Sequence, residues 1–161
     1  MTDLDPHKQL GAALGRIPSG LFVLTIRHGA AETGMLASWV QQCAFEPPHV
    51  SVAIRQGREI AKWLQPEAAF TLNLLDDGQT DMIVHFGRGF PLDQPAFEGL
   101  DVEHRPDAAP ILNEALSYLD CRVMAVHPVG DHLQLIAEVM AGKLLNEGHP
   151  MVHIRKSGFH Y

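Results

Sequence analysis

The chain has 161 residues, with 12 Lys+Arg against 19 Asp+Glu and a formal net charge of -7. Hydrophobic residues make up 46%, which excludes a mainly disordered chain and suits one domain with a real core. The acidic balance argues against broad nucleic-acid binding and against adhesion to anionic membranes, since both rest on Lys and Arg.

Asp5-Pro6 predicts a helix opening, a carboxylate cap followed by proline in the first turn, with Leu10, Leu14 and Ile17 at helical spacing. Pro18-Ser19-Gly20 breaks that pattern. Leu21 to Ile26 reads as a buried strand, Gly29-Ala30-Ala31 as a turn, and Thr33 to Val40 as the second strand of a hairpin. Val50 to Ile54 is a third strand, Arg58 to Leu64 a short amphipathic helix stopped by Pro66, and Phe70 to Leu75 a fourth strand. Thr80 can cap a helix carrying Met82, Ile83 and Phe86. From Gly87 to Pro110 the pattern fails, and four prolines fall there; a loop of this length covers something. Long strands are expected over Ala115–His127 and His132–Leu145, joined by Pro128-Val129-Gly130-Asp131, and a last short one near Met151–Ile154. Many short strands with few helices predict a mainly β protein, an antiparallel barrel with peripheral helices.

Charge is unevenly spread. Between Asp76 and Asp120 there are ten acids and two bases, whereas the rest of the chain holds nine acids and ten bases. The remainder can therefore meet an anionic ligand. Cys43 and Cys121 stand in apolar-patterned stretches with no CxxC, and two buried free thiols are expected. No apolar run approaches the ~20 residues of a spanning helix, and Met1–Asp5 has no signal-peptide pattern, so a soluble cytoplasmic chain is expected.

There is no GxGxxG after a strand, no phosphate loop and no GxSxG elbow. Of the ten His, His149 and His153 are four apart, but Pro150 lies between them in an extended-looking segment, so no metal site is expected. The densest signal is Thr33 to Pro48, which begins as a strand and turns polar and irregular before Pro47-Pro48. Unpaired backbone N–H groups there, with Ser38 and Gln41, can hold a planar polar ligand or a phosphate; a bulged strand with a stiff exit is the other reading. Arg55, Arg58 and Lys62 lie together in sequence, either as an anion site at a helix start or as a solvated face offset by Glu59.

Ser19 to Thr25, Gly34 to Gln42, Phe45-Glu46-Pro47-Pro48, Arg58, Phe70 to Leu75, His85-Phe86, Pro110 to Leu112, Ala115 to Cys121, Gly130-Asp131-His132, Arg155 to Gly158 and His160-Tyr161 occur in an order that carries a resemblance. The chain resembles the flavin-reductase-like, FMN-binding split-barrel proteins. It is most similar to the C-terminal flavin-reductase module of cyanobacterial-type flavodiiron proteins, from Arg16 to Tyr161. That resemblance implies a homodimer with FMN near the subunit interface, FAD being left open, and NAD(P)H as electron donor. It implies that Met35, Leu36, Ala37, Ser38, Trp39, Val40 and Gln41 line the isoalloxazine. It places Ala53, Ile54, Arg55 and Arg58 toward the phosphate, and His85 and Phe86 along one side. His132 is then the candidate catalytic residue, facing the flavin where nicotinamide docks. Hydride transfer needs stacking and alignment rather than a proton-transferring side chain, so the missing triad is no objection. Ala44 replaces a serine common in related reductases. No diiron module is present in these 161 residues, so no iron site is expected here to receive electrons.

The implied function is NAD(P)H:flavin oxidoreduction, with free flavin, a partner protein or oxygen as acceptor. The alternatives are an FMN-binding electron carrier or redox sensor without nicotinamide activity, and a barrel of similar shape that holds no flavin.

Overall fold

The computed structural model describes residues 5–161, so the reading of Met1–Leu4 lies outside them. Asp5 caps α1 (Pro6–Gly15) by accepting from the His7 N–H at 3.2 Å. The expected Leu10–Leu14–Ile17 stripe does not form the buried face: Leu10 and Ile17 are exposed, and Gly11 and Gly15 are buried. The helix docks by backbone approach. A Cβ on Gly15 would stand 2.5 Å from the Arg155 carbonyl oxygen, and the N–H groups of Arg155 and Gly158 donate to the carbonyls of Gly15 and Gly11. Two glycines thus hold residues 155–161 against the body.

The main sheet is antiparallel and has seven strands: β2 (Phe22–His28), β3 (Ala31–Ala37), β4 (Val40–Phe45), β5 (Pro48–Arg55), β6 (Ala69–Leu74), β9 (Ser117–Val129) and β10 (His132–Leu144). Their spatial order is β3-β2-β6-β9-β10-β5-β4. The sheet curls until β3 nears β5, which makes an incomplete barrel. Two small sheets flank it: β1 (Ser19–Gly20) with β11 (Val152–His153), and β7 (Val102–Arg105) with β8 (Ala108–Leu112). Period-2 alternation sorts the side chains. Leu24, Ile26, Val52, Ile54, Leu72 and Leu135 fill the barrel, while Val23, Leu75 and Phe86 join Phe97 and Leu112 in a second cluster outside it. Helix α2 (Thr80–Phe86) closes that second cluster.

Four expectations change. The stretch Gln41–Phe45 is not irregular: it is strand β4 on β5, with a register shift between Gln42 and Ala44 that leaves Cys43 as the extra residue. Cys43 is exposed, not buried, because β4 is a sheet edge. The helix expected over Arg58–Leu64 is a 3-10 turn, Glu59–Lys62. The stretch Gly87–Pro110 is not wholly irregular, since β7 and β8 form a hairpin within it.

That hairpin is fastened to the outer face of the barrel by polar groups. The Thr25 hydroxyl donates to the Pro110 carbonyl at 2.6 Å, and Leu112 N–H donates to Asn73 Oδ1 at 2.9 Å. Arg105 grips Asp120 at 2.7 and 2.9 Å and the Ala109 carbonyl at 2.6 Å. Burial pushes the Asp120 carboxyl up, but Arg105 and the Thr71 hydroxyl outweigh it and hold it below the usual carboxylate range. A depressed folded-state value gives stability that is present above the unfolded value of ~3.9 and is lost as pH falls through the folded one. Asp120→Asn is therefore expected to cost about 2 kcal/mol at neutral pH, with the deficit shrinking in acid, as pH falls below the ordinary carboxylate range. Urea midpoints of both proteins at neutral and at acid pH check this; a pH-independent difference would contradict it.

Candidate flavin site

The break between β3 and β4 builds the site. Strand β3 ends at Ala37, and Ser38 and Trp39 belong to neither strand. The Trp39 carbonyl accepts from Ala53 N–H at 3.0 Å, and Val40 re-enters the ladder opposite Val52. This splayed corner opens a cavity of about 240 Å³. It is lined by Met35, Leu36, Ala37, Ser38, Ala53, Arg55, Arg58, Ile83, Gly87, His153 and Tyr161, with Leu21. Past Ser38 and Ala53 a more open cavity of about 480 Å³ continues along Trp39, Val40, Gln41, Ser51 and Gln134. A third, of about 160 Å³, shares Arg55 and Tyr161 with the first and contains Trp39, Asp131, His132 and Arg155.

Most of the residues singled out in the sequence thus come together. Met35, Leu36, Ala37, Ser38, Ala53, Arg55 and Arg58 share one cavity; Trp39, Val40 and Gln41 line the next; His132 lines the third. Three do not present side chains there. Ile54 is 1% exposed, because strand alternation turns Ala53 and Arg55 to the cavity and Ile54 to the core. Phe86 is fully buried, and His85 Nε2 donates to the Ala96 carbonyl at 2.8 Å. On α2 the cavity instead receives Ile83, with Gly87 four residues on, a helix face that sequence spacing alone did not choose. Tyr161, His153 and Arg155 were also missed. Arg155 and Tyr161 lay within stretches that carried the resemblance, but no local signal tied them to Trp39 or His132.

Cations gather at one end. The Arg58 guanidinium donates to the Arg88 carbonyl at 2.5 Å, and neither Arg55 nor Arg58 pairs with a carboxylate among the described residues. None of the ten acids between Asp76 and Asp120 lines these cavities. The segment itself reaches the site through Ile83, Gly87 and Arg88, but its carboxylates stay off the cavity walls. Lys62 lies 3.8 Å from Glu59, both exposed, and belongs to a solvated face.

His132 is 9% exposed and held at both ring nitrogens. Nδ1 donates to Asp131 at 2.7 Å, and Nε2 shares a hydrogen bond with the Tyr161 hydroxyl, also at 2.7 Å; in the tautomer with its proton on Nδ1, Nε2 is the acceptor. The hydrogen bond from His132 holds the Asp131 carboxyl below its ordinary range. Trp39 packs on His132 with ring centroids 4.7 Å apart, and the Arg155 guanidinium lies 4.9 Å over Trp39. Burial raises the Tyr161 phenol, so it stays a proton donor at neutral pH. Burial, then the Arg155 charge, lowers His153, which keeps that ring neutral beside the cavity.

The residues fit a flavin phosphate ester. Ser38 lines two cavities and is 9% exposed, and its hydroxyl makes no hydrogen bond among the described residues. The floor is apolar, the cationic end suits a phosphate, and the three adjoining volumes taken together fall within the ~300–1,000 Å³ of small-molecule sites.

Comparison with known proteins agrees. Residues 14–160 match the flavin reductase like domain. Diflavin flavoprotein A 1 of Synechocystis is 36% identical over 154 residues, covering 94% of this chain and 27% of its own. A second diflavin flavoprotein A sequence from the same organism reaches 41% over 150 residues. The chain spans about a quarter of the length of these relatives. Among solved structures, the NADH:FAD oxidoreductase SgcE6 of Streptomyces globisporus superposes with a TM-score of 0.80 at 23% identity, covering 89% of this chain and 85% of that one. Flavin reductase PheA2 gives a TM-score of 0.74 at 23% identity, over 94% of each chain. They share the fold. With an incomplete barrel splayed at Ser38–Trp39 and a family match over nearly its whole length, the chain belongs to the flavin reductase like domain family.

Proposed function

We propose that the chain acts as one cytoplasmic FMN-binding domain, paired as a homodimer, that takes reducing equivalents from NAD(P)H. The observation that carries this reading is the continuity of the Met35–Ser38 cleft with two further features: the unpaired Arg55 and Arg58 at one side, and the cavity containing His132 at another. A bound flavin would supply the redox chemistry, as acceptor for the hydride that a nicotinamide donates. The chain's own residues do the rest. Main chain and side chains of Met35–Gln41 hold the ring plane, Arg55 and Arg58 neutralise the phosphate, and His132 orients the donor's carboxamide. FAD is the second flavin to test, because a further cavity of about 260 Å³ with Arg88 and Phe90 opens beyond Arg58. Pairing is supported by exposed Ile17 and Val152 on the rim of the open 480 Å³ cavity, which a second copy would cover. Free flavin, a partner protein or oxygen takes the electrons onward.

The experiment is anaerobic mixing of FMN-loaded protein with NADH and with NADPH. Bleaching of the flavin absorption band by at least one donor is the expected result. A protein that binds FMN yet is bleached by neither donor would instead be a flavin carrier or sensor.

A further inference from the structure

His132 has one lone pair to offer a ligand, and it is already taken. Its Nδ1 is committed to Asp131, and its Nε2 accepts from the Tyr161 hydroxyl at 2.7 Å. A neutral imidazole has no third polar position. A primary carboxamide brings an N–H donor to the same acceptor, so it and the Tyr161 hydroxyl are rivals for Nε2. Tyr161 is also placed to obstruct. It lines both the Met35–Ser38 cavity and the His132 cavity, and its ring lies 5.8 Å from Trp39. A donor that stacks on a flavin in the first cavity while reaching His132 in the second must pass the wall that Tyr161 forms.

We propose that Tyr161 occupies the nicotinamide seat in the resting protein and is displaced when the carboxamide of a nicotinamide dinucleotide takes over the His132 Nε2 acceptor. This rests on the proposed function and adds a specificity element to it. Backbone hydrogen bonds fasten Arg155 and Gly158 to α1, whereas Tyr161 lies three residues beyond the second of them and in no strand ladder, so it can shift without opening the barrel. Arg55 and Arg155 line the same cavity and pair with no carboxylate among the described residues. They would face the dinucleotide's diphosphate once the phenol has moved.

The test is calorimetric titration of the FMN-loaded protein with NAD+ and NADP+, which bind without reducing the flavin. Tyr161→Phe keeps the ring and removes the hydroxyl. Losing one neutral hydrogen bond to a rival donor is expected to tighten the better-bound dinucleotide about fivefold, and Tyr161→Ala should tighten it at least as much. Equal or weaker binding in Tyr161→Phe would make Tyr161 a contact for the donor, or irrelevant to it, and overturn the proposal; so would failure of every variant to bind either dinucleotide. If NADH or NADPH still bleaches the wild-type flavin in that case, the reductase reading stands and only the displacement by substrate is lost. If neither donor bleaches it, the reductase reading itself has failed.

Discussion

Replacing Arg58 by alanine is expected to weaken FMN binding about 10- to 100-fold, the cost of one charge-assisted contact to a phosphate. The side chain lies where the flavin cavity meets the one lined by Arg88, with no carboxylate partner among the described residues to compete for it. Two effects add in this variant. The guanidinium is lost as a phosphate ligand, and its hydrogen bond to the Arg88 carbonyl, which fastens the loop after α2, goes with it. Arg58→Lys separates them, because an ammonium keeps the charge but not the planar fork. Flavin fluorescence quenching on titration gives both affinities. Full retention in Arg58→Ala would remove the phosphate from this end of the cleft.

His132→Ala is expected to slow flavin reduction by NADH or NADPH about 10- to 100-fold while leaving FMN bound, the loss associated with misaligning a donor rather than removing a reacting group. His132 lines the adjoining cavity and not the one that holds Met35–Ser38, so the two readouts separate. Trp39 loses its ring contact in this variant. His132→Asn, which keeps a polar side chain of similar reach, should recover part of the rate if orientation is what the ring provides. An unchanged reduction rate in His132→Ala would count against that role.

The strand pattern was legible because alternation is a property of the local sequence: Val50 to Ile54 and Phe70 to Leu75 read directly as half of a barrel wall. Glycine packing was not. Leu10 and Ile17 look like the buried face of α1 until one sees that the chain at Arg155 needs a surface without Cβ atoms, a demand set by a segment some 140 residues away. The bulge at Cys43 has a similar origin, since only pairing with β5 decides whether Gln41–Phe45 is ladder or loop. At the site, the Met35–Ser38 cleft and the arginines were visible as a motif. The choice between the Ile83 and His85 faces of α2, and the arrival of Tyr161 beside His132, depend on tertiary placement that spacing does not encode. The -7 charge does not weigh against a phosphate-bearing ligand, because the carboxylates of its acidic block stay off the cavity walls and Asp120 is spent on Arg105.

A crystal structure of the protein grown with FMN tests the placement of the flavin most directly. The isoalloxazine is expected along Met35–Gln41, beside the free Ser38 hydroxyl, with the phosphate in salt-bridge reach of Arg55 or Arg58. A ring seated elsewhere, or a phosphate held by Arg155 with Arg55 and Arg58 both unengaged, would contradict it.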